Sequence, residues 1–79
     1  MDYRGSIADY TEAIRLKPDY ANAFYGRGIS KADLGIVQFS LEMTQSAMED
    51  LREAARLFQL DGDTAGYNWA MERIRQLGG

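Results

Sequence analysis

The stretch Ser6–Leu16, SIADYTEAIRL, returns in altered form as Ala47–Leu57, AMEDLREAARL. Five pairs of identical residues stand 41 positions apart: Asp9/Asp50, Glu12/Glu53, Ala13/Ala54, Arg15/Arg56 and Leu16/Leu57. Self-similarity at a fixed spacing is typical of repeat proteins, which usually present a binding surface. The echo therefore predicts a repeat architecture whose function is binding rather than catalysis.

The composition limits the chemistry open to the chain. Its 79 residues include no Cys and no His, which excludes disulfides, a conventional zinc site and catalysis by histidine. A domain this small buries only roughly 60–65% of its unfolded surface and usually needs further stabilisation by a disulfide, a metal or a partner chain. Of these, the composition leaves the partner chain. The net charge is −3 with scattered Lys and Arg, which disfavours nucleic acid as a partner. Since no apolar run approaches the roughly 18–20 residues of a membrane span and the N-terminus has no signal-peptide pattern, we expect one cytoplasmic domain.

Apolar spacing predicts helices and no strands. The first helix covers about residues 2–17 and ends before Pro18, because a proline disfavours helical geometry in the residue that precedes it. Its apolar stripe steps by 4, 3 and 4 residues: Tyr3, Ile7, Tyr10 and Ile14. A second helix over about 21–34 contains Gly26 and Gly28, which indicate close packing against a neighbouring helix. The chain is thus predicted to be all-α.

The second half of the chain carries two further helical patterns. Residues 46–60 form a strong amphipathic pattern, and Ser46 with Glu49 predicts a capping box at its start. The segment Asp61–Asp63 breaks the chain, after which Asp63 or Thr64 can cap a last helix within 63–77. The apolar face of this last helix consists of Tyr67, Ala70, Met71, Ile74 and Leu77.

These segments resemble the tetratricopeptide repeat (TPR) family. Ala23–Gly35, AFYGRGISKADLG, resembles the first helix of such a repeat. Phe24 takes the aromatic fourth position of the repeat, and Gly28 and Gly35 take its eighth and fifteenth positions. Ser6–Pro18 resembles the second helix of a repeat. Small Ser6, aromatic Tyr10, small Ala13 and Pro18 follow each other at the family's steps of four, three and five residues. Ala47, Leu51 and Ala54 repeat that spacing, and residues 63–77 resemble the closing helix of such arrays. The resemblance implies about 1.5 repeats of antiparallel helices plus a capping helix, with the stripe on residues 2–17 left partly uncovered.

The spacing of 41 departs from the family's period of about 34 and predicts a helical insertion of about seven residues near 36–46. Three conformations are open for residues 21–60. The turn can stay at Gly35, it can move to Thr44–Ser46, or it can vanish and leave one rod of about 40 residues, roughly 60 Å long. A rod would separate surfaces that a hairpin packs together and predicts a domain-swapped homodimer. The segment expected to mediate self-association comprises Ile36, Val37, Phe39, Leu41 and Met43.

The resemblance implies a non-enzymatic module that binds a protein or peptide, with the first-type helix lining a concave face. The residues expected on that face are Asn22, Tyr25, Gly26, Ile29, Ala32 and Asp33. Among them only Asn22 suits the family's clamp for a C-terminal carboxylate, and Asp33 would repel that anion. We therefore expect apolar and aromatic contacts to dominate, with self-association as the alternative function.

Two acidic patterns have ordinary structural explanations. Asp61–Gly66, with Glu72 at the twelfth position, imitates a calcium-binding EF-hand loop. Its fifth position is Ala65, which has no side-chain oxygen to bind the ion, and the helical periodicity of 64–77 favours a helix cap instead. Elsewhere Glu and Asp alternate with Arg, as on a solvated helix face. We therefore predict no enzyme, no metal and no cofactor, and leave open whether Trp69 is half-buried or a contact residue.

Overall fold

The structure, a computed structural model, describes residues 2–79 as four α-helices. They are α1 (Tyr3–Leu16), α2 (Ala21–Gln38), α3 (Leu41–Leu60) and α4 (Thr64–Gln76). Short connections place each helix against the next one along the chain, and α1 packs against α2 alone. The prediction of an all-α, TPR-like fold is confirmed for these residues. No helix among residues 2–79 is long and apolar enough to cross a membrane.

The boundaries of α1 follow from its flanking residues. The Asp2 side chain N-caps the helix, because its Oδ1 accepts a hydrogen bond of 2.8 Å from the backbone N–H of Gly5. At the other end Lys17 donates its N–H to the carbonyl of Ala13 and precedes Pro18, which cannot donate a backbone hydrogen bond. These local signals fix a helix of 14 residues, in agreement with the predicted segment 2–17.

The turn between α2 and α3 lies at Phe39–Ser40. Phe39 has φ 51°, and the N–H of Ser40 donates to the carbonyl of Gly35 at 2.8 Å, which together form a Schellman-type helix end. Ser40 then caps α3, since its Oγ accepts a hydrogen bond of 3.1 Å from the N–H of Met43. The turn therefore falls between the two predicted turn positions.

This turn corrects four sequence-based expectations. The fused rod is wrong, because α2 and α3 form a hairpin in which they pack on each other. A turn at Gly35 and a turn at Thr44–Ser46 are both wrong, because a left-handed residue at Phe39 closes α2 one turn after Gly35. The capping box at Ser46 is also wrong: Ser46 lies inside α3, where its Oγ accepts from Lys31 Nζ at 2.9 Å. A domain swap that depends on the rod has no basis in this hairpin, and the insertion itself stays a prediction.

The core lies mainly between α2 and α3. Ala47, Leu51 and Ala54 are fully covered there, and a Cβ on Gly28 would come within 2.8 Å of the Leu51 Cγ. Only glycine lets α2 approach α3 this closely, which confirms the close packing predicted for this position. Burying a Leu side chain such as that of Leu51 contributes about 1.5–3 kcal/mol.

Helix α4 closes the far side of the core. Asp63 Oδ1 accepts a hydrogen bond of 2.9 Å from the N–H of Gly66, which confirms the predicted cap. Phe58 is buried beneath this helix and meets the ring of Tyr25 edge-on, with 6.3 Å between the ring centroids. In contrast to the other three helices, α1 has no buried residue.

Candidate binding groove

A groove of about 680 Å³ runs between α1 and α2. It has the size of a ligand-binding cleft and is mostly apolar in character, with aromatic side chains along both walls. Its lining consists of Tyr3, Ser6, Asp9, Tyr10, Ala13, Tyr20, Asn22, Ala23, Tyr25, Gly26, Ile29, Ser30 and Asp33. The carboxylates of Asp9 and Asp33 are the only charged groups in this lining, so the groove is locally acidic.

Most of the predicted concave face lies on the α2 wall of this groove. The residues that line it are Asn22, Tyr25, Gly26, Ile29 and Asp33. Ala32 does not line it and is 1% exposed. It follows Gly28 by four residues, and residues four apart share a face of a helix, so Ala32 lies on the side of α2 that packs against α3.

The α1 wall is the part of the site that sequence reasoning did not assign. It carries Ser6, Asp9, Tyr10 and Ala13, and the Tyr10 ring lies directly over Gly26 of α2. The signal was present, since the resemblance implied that the apolar stripe on residues 2–17 is left partly uncovered. That face is available because no other helix of residues 2–79 covers it.

A polar network joins α2 to α3 below the groove. Asp50 accepts two hydrogen bonds of 2.8 Å from the Arg27 guanidinium and forms a 3.0 Å ion pair with Lys31 Nζ. The Asp50 side chain is only 8% exposed, and each of the two cations is 17% exposed. Arg27 also reaches Thr11 of α1 at 3.3 Å. One carboxylate thus holds two cations in a largely desolvated position between helices.

Two exposed ion pairs repeat the sequence echo in three dimensions. Arg15 donates to Glu12, and Arg56 donates to Glu53 in the same i,i+3 arrangement. The hydrogen bonds from these guanidinium groups lower the pKa of each Glu below its usual value, and the pKa of each Arg is raised. At these two positions α1 and α3 therefore carry the same exposed ion pair.

The predicted self-association segment splits into two parts. Ile36, Val37, Phe39 and Leu41 are exposed by 64, 62, 97 and 71% around the α2–α3 turn. Met43 is only partly exposed and lines a separate apolar cleft with Ile7 and Leu34. The turn thus presents four large apolar side chains to solvent, and a Phe in a left-handed conformation is costly for the backbone.

Two further sequence questions are answered by position. Trp69 is largely exposed, and its ring lies 6.5 Å from that of Tyr25 at the end of the groove wall. Asp63 serves as the N-cap of α4 and the residues after it are helical, so the structural explanation of the calcium-like pattern is confirmed. Within residues 2–79 no group of three or more acidic side chains is arranged to hold a metal ion.

Comparison with known proteins gives a partial match to one family. Residues 2–35, which comprise α1 and most of α2, match the sequence model of the TPR repeat. Over 47 residues the chain is 36% identical to Protein FlbA of Caulobacter vibrioides (strain ATCC 19089 / CIP 103742 / CB 15), a stretch that covers 60% of this chain and 8% of FlbA. No solved structure matches the chain significantly. The match over residues 2–35 supports a TPR family, in agreement with the resemblance predicted from the sequence and with the all-α, TPR-like fold.

Proposed function

We propose that the chain is a non-enzymatic protein–protein interaction module of TPR type and that the α1–α2 groove binds a protein or peptide. The observation that carries this proposal is the uncovered α1 wall, whose small and aromatic residues line a groove of about 680 Å³. The groove offers Tyr rings for contact area and Asp9 and Asp33 for charge selection. Without a basic residue in its lining, it disfavours anionic ligands such as nucleic acid or a C-terminal carboxylate. A cytoplasmic location stays a prediction.

An unbiased peptide selection tests this function. Peptides of about 20 residues that bind the chain are selected from a random library, and their Kd is then measured against variants. Ile29→Lys places a cation on the groove wall, whereas Gln45→Lys makes the same charge change on the exposed side of α3. We expect Ile29→Lys to weaken binding at least tenfold and Gln45→Lys to leave it unchanged. Equal effects of the two substitutions, or a selection that yields no binder, would refute the proposal.

We also propose, as a second function, that the apolar turn mediates two-fold self-association without a domain swap. The supporting observation is the exposure of Ile36, Val37, Phe39 and Leu41, between which only the uncharged Gln38 and Ser40 stand. If each of the four side chains has about 200 Å² of surface, within the 150–250 Å² of an aromatic residue, their exposed fractions amount to about 600 Å² per chain. Two copies that covered this surface completely would bury about 1,200 Å², close to the roughly 1,000 Å² expected of a biological interface.

Light scattering after size-exclusion chromatography measures this association directly. Phe39→Asn removes the most exposed apolar side chain and keeps a residue that tolerates the left-handed conformation. We expect a dimer for the unmodified chain and a monomer for this variant. Leu60→Asn, which removes a large apolar side chain that is 70% exposed at the far end of α3, is the control and should remain dimeric. A monomeric unmodified chain would contradict the second function and leave the first untouched.

A further inference from the structure

The charge network between α2 and α3 has a counterpart on α1. Asp50 of α3 binds Arg27 and Lys31, which lie four residues apart on α2. The residue equivalent to Asp50 in the sequence echo is Asp9, which lines the groove, is exposed and has no ion-pair partner among residues 2–79. The carboxylate at this position of the echo therefore binds two cations on α3, whereas on α1 it has no ion-pair partner among residues 2–79.

The packing residues around these carboxylates follow the same relation. On α3, Ala47, Leu51 and Ala54 have no exposed surface because α2 covers them. Their equivalents on α1 are Ser6, Tyr10 and Ala13, which line the groove; the Tyr10 ring lies over Gly26 of α2 and keeps 36% of its surface exposed. The two helices also carry equivalent i,i+3 ion pairs, Glu12–Arg15 on α1 and Glu53–Arg56 on α3. The α2–α3 contact is therefore a template for a helix that could bind over α1.

The template specifies the sequence of the occupant. On α2 the residue directly after Arg27 is Gly28, which lets the backbone reach Leu51, and Lys31 follows three residues later. Since Tyr10 is larger than the Leu51 it replaces, a helix over α1 needs a small residue at this point even more strongly. Two basic residues four apart lie on one face of a helix and can reach one carboxylate.

We propose that the groove binds an amphipathic α-helix of a partner protein, in which a basic residue is followed at once by a small residue and, four positions after the first, by a second basic residue. Asp9 binds the two cations, and the small residue lies against Tyr10. The proposal rests on the proposed interaction function and specifies its ligand class. A second copy of this chain is a poor source of the helix, because withdrawing its α2 would break the Asp50 network and expose a fully buried face.

The probe is a helix-stabilised synthetic peptide with the sequence of residues 20–38, added to the full chain. Its Kd is measured for the unmodified chain, for Asp9→Asn and for Asp19→Asn, which makes the same charge change at an exposed residue outside the groove. We expect Asp9→Asn to weaken binding about tenfold or more, as for the loss of a charge-assisted hydrogen-bond pair. The peptide variant with Gln in place of both basic residues should bind equally weakly to all three proteins. Amide chemical shifts should change at Ser6, Tyr10 and Ala13 rather than along α3.

The outcomes separate this inference from the function on which it rests. Equal weakening by Asp9→Asn and Asp19→Asn, or shifts confined to α3, would overturn the inference. If peptides selected from the random library occupy the groove but lack the basic–small–basic pattern, the function stands and the inference fails. If the unmodified chain forms a dimer that Asp9→Asn dissociates, the occupant is a second copy and the proposed partner helix is wrong. Both variants replace exposed side chains, and an unchanged melting temperature will show that they fold.

Discussion

Replacing Asp50 by Asn should destabilise the fold more than any other single charge removal on α3. The carboxylate is 8% exposed, accepts two hydrogen bonds of 2.8 Å from Arg27 and forms a 3.0 Å ion pair with Lys31. Asn keeps the shape but removes the only negative charge in the network, which leaves two cations at 17% exposure without a counter-ion. Breaking a buried pair in this way costs about 3–5 kcal/mol. Because the cations keep some contact with water, we expect the lower end, about 3 kcal/mol.

Such a loss would be large for this chain. At roughly 0.05–0.15 kcal/mol per residue, 79 residues give a total stability of about 4–12 kcal/mol. Urea unfolding followed by circular dichroism yields the free energy of unfolding for the variant and the unmodified chain. The matched control is Glu53→Gln, which removes one negative charge from the same helix in a pair with exposed Arg56 and should change stability little.

The refuting result is a small effect of the buried substitution. If Asp50→Asn costs less than about 1 kcal/mol, or no more than Glu53→Gln, the network is not held in a desolvated position. The template for the α1 groove would then lose its energetic support, because an Asp9 network of the same geometry would contribute little to binding.

Three further predictions concern packing, backbone and pH. Leu51→Ala should cost about 2–5 kcal/mol, since it empties space between α3 and Gly28 in the fully buried core; urea unfolding measures the loss, and an effect below about 1 kcal/mol would refute the close packing. Phe39→Gly should stabilise the fold by up to about 1 kcal/mol, because φ 51° is costly for Phe and free for Gly, whereas Gln38→Gly one residue earlier should give no gain in thermal unfolding. The small difference in stability between the unmodified chain and Glu53→Gln should be present at pH 7 and be lost as the pH falls from 4.5 through the lower pKa of Glu53 in the folded state, because the hydrogen bond from Arg56 lowers that pKa in the folded state alone. A difference that persists at pH 2 would contradict that assignment.

The sequence was sufficient for the helices but not for the turn between α2 and α3. Periodicity and the breakers at Pro18 and Gly62 placed α1 and α4, because these signals act over a few residues. No such signal marks Phe39, which takes a conformation that glycine usually provides. The hairpin brings Leu51 against Gly28, a contact between residues distant in sequence, and Ser40 caps the helix that follows the turn. Local propensity could not predict a turn that local propensity disfavours.

The site was only half predictable for a related reason. A resemblance assigned the α2 wall through residues such as Tyr25 and Ile29, but it assigned no binding residue to α1, whose apolar stripe it left partly uncovered. The α1 wall becomes a candidate binding surface because nothing in residues 2–79 covers it, and that is a property of the assembled chain. Ala32 shows the reverse, since its position on α2 fits a binding helix while its actual environment is the core.

The sequence echo therefore has two physical outcomes in one molecule. On α3 the pattern is satisfied internally: Asp50 holds the cations of α2, and its small and apolar neighbours are buried. On α1 the same pattern stands open, with Asp9 and Tyr10 in the wall of a groove. A buried pattern stabilises the fold and an open one is available to a ligand, so the α2–α3 interface shows, within the same molecule, the kind of contact that a ligand could make with α1. If a ligand helix contacts α1 as α2 contacts α3, removing the charge of Asp50 should lower the free energy of unfolding, and removing the charge of Asp9 should weaken binding of a basic helix. The two sets of experiments thus test one geometry from both sides.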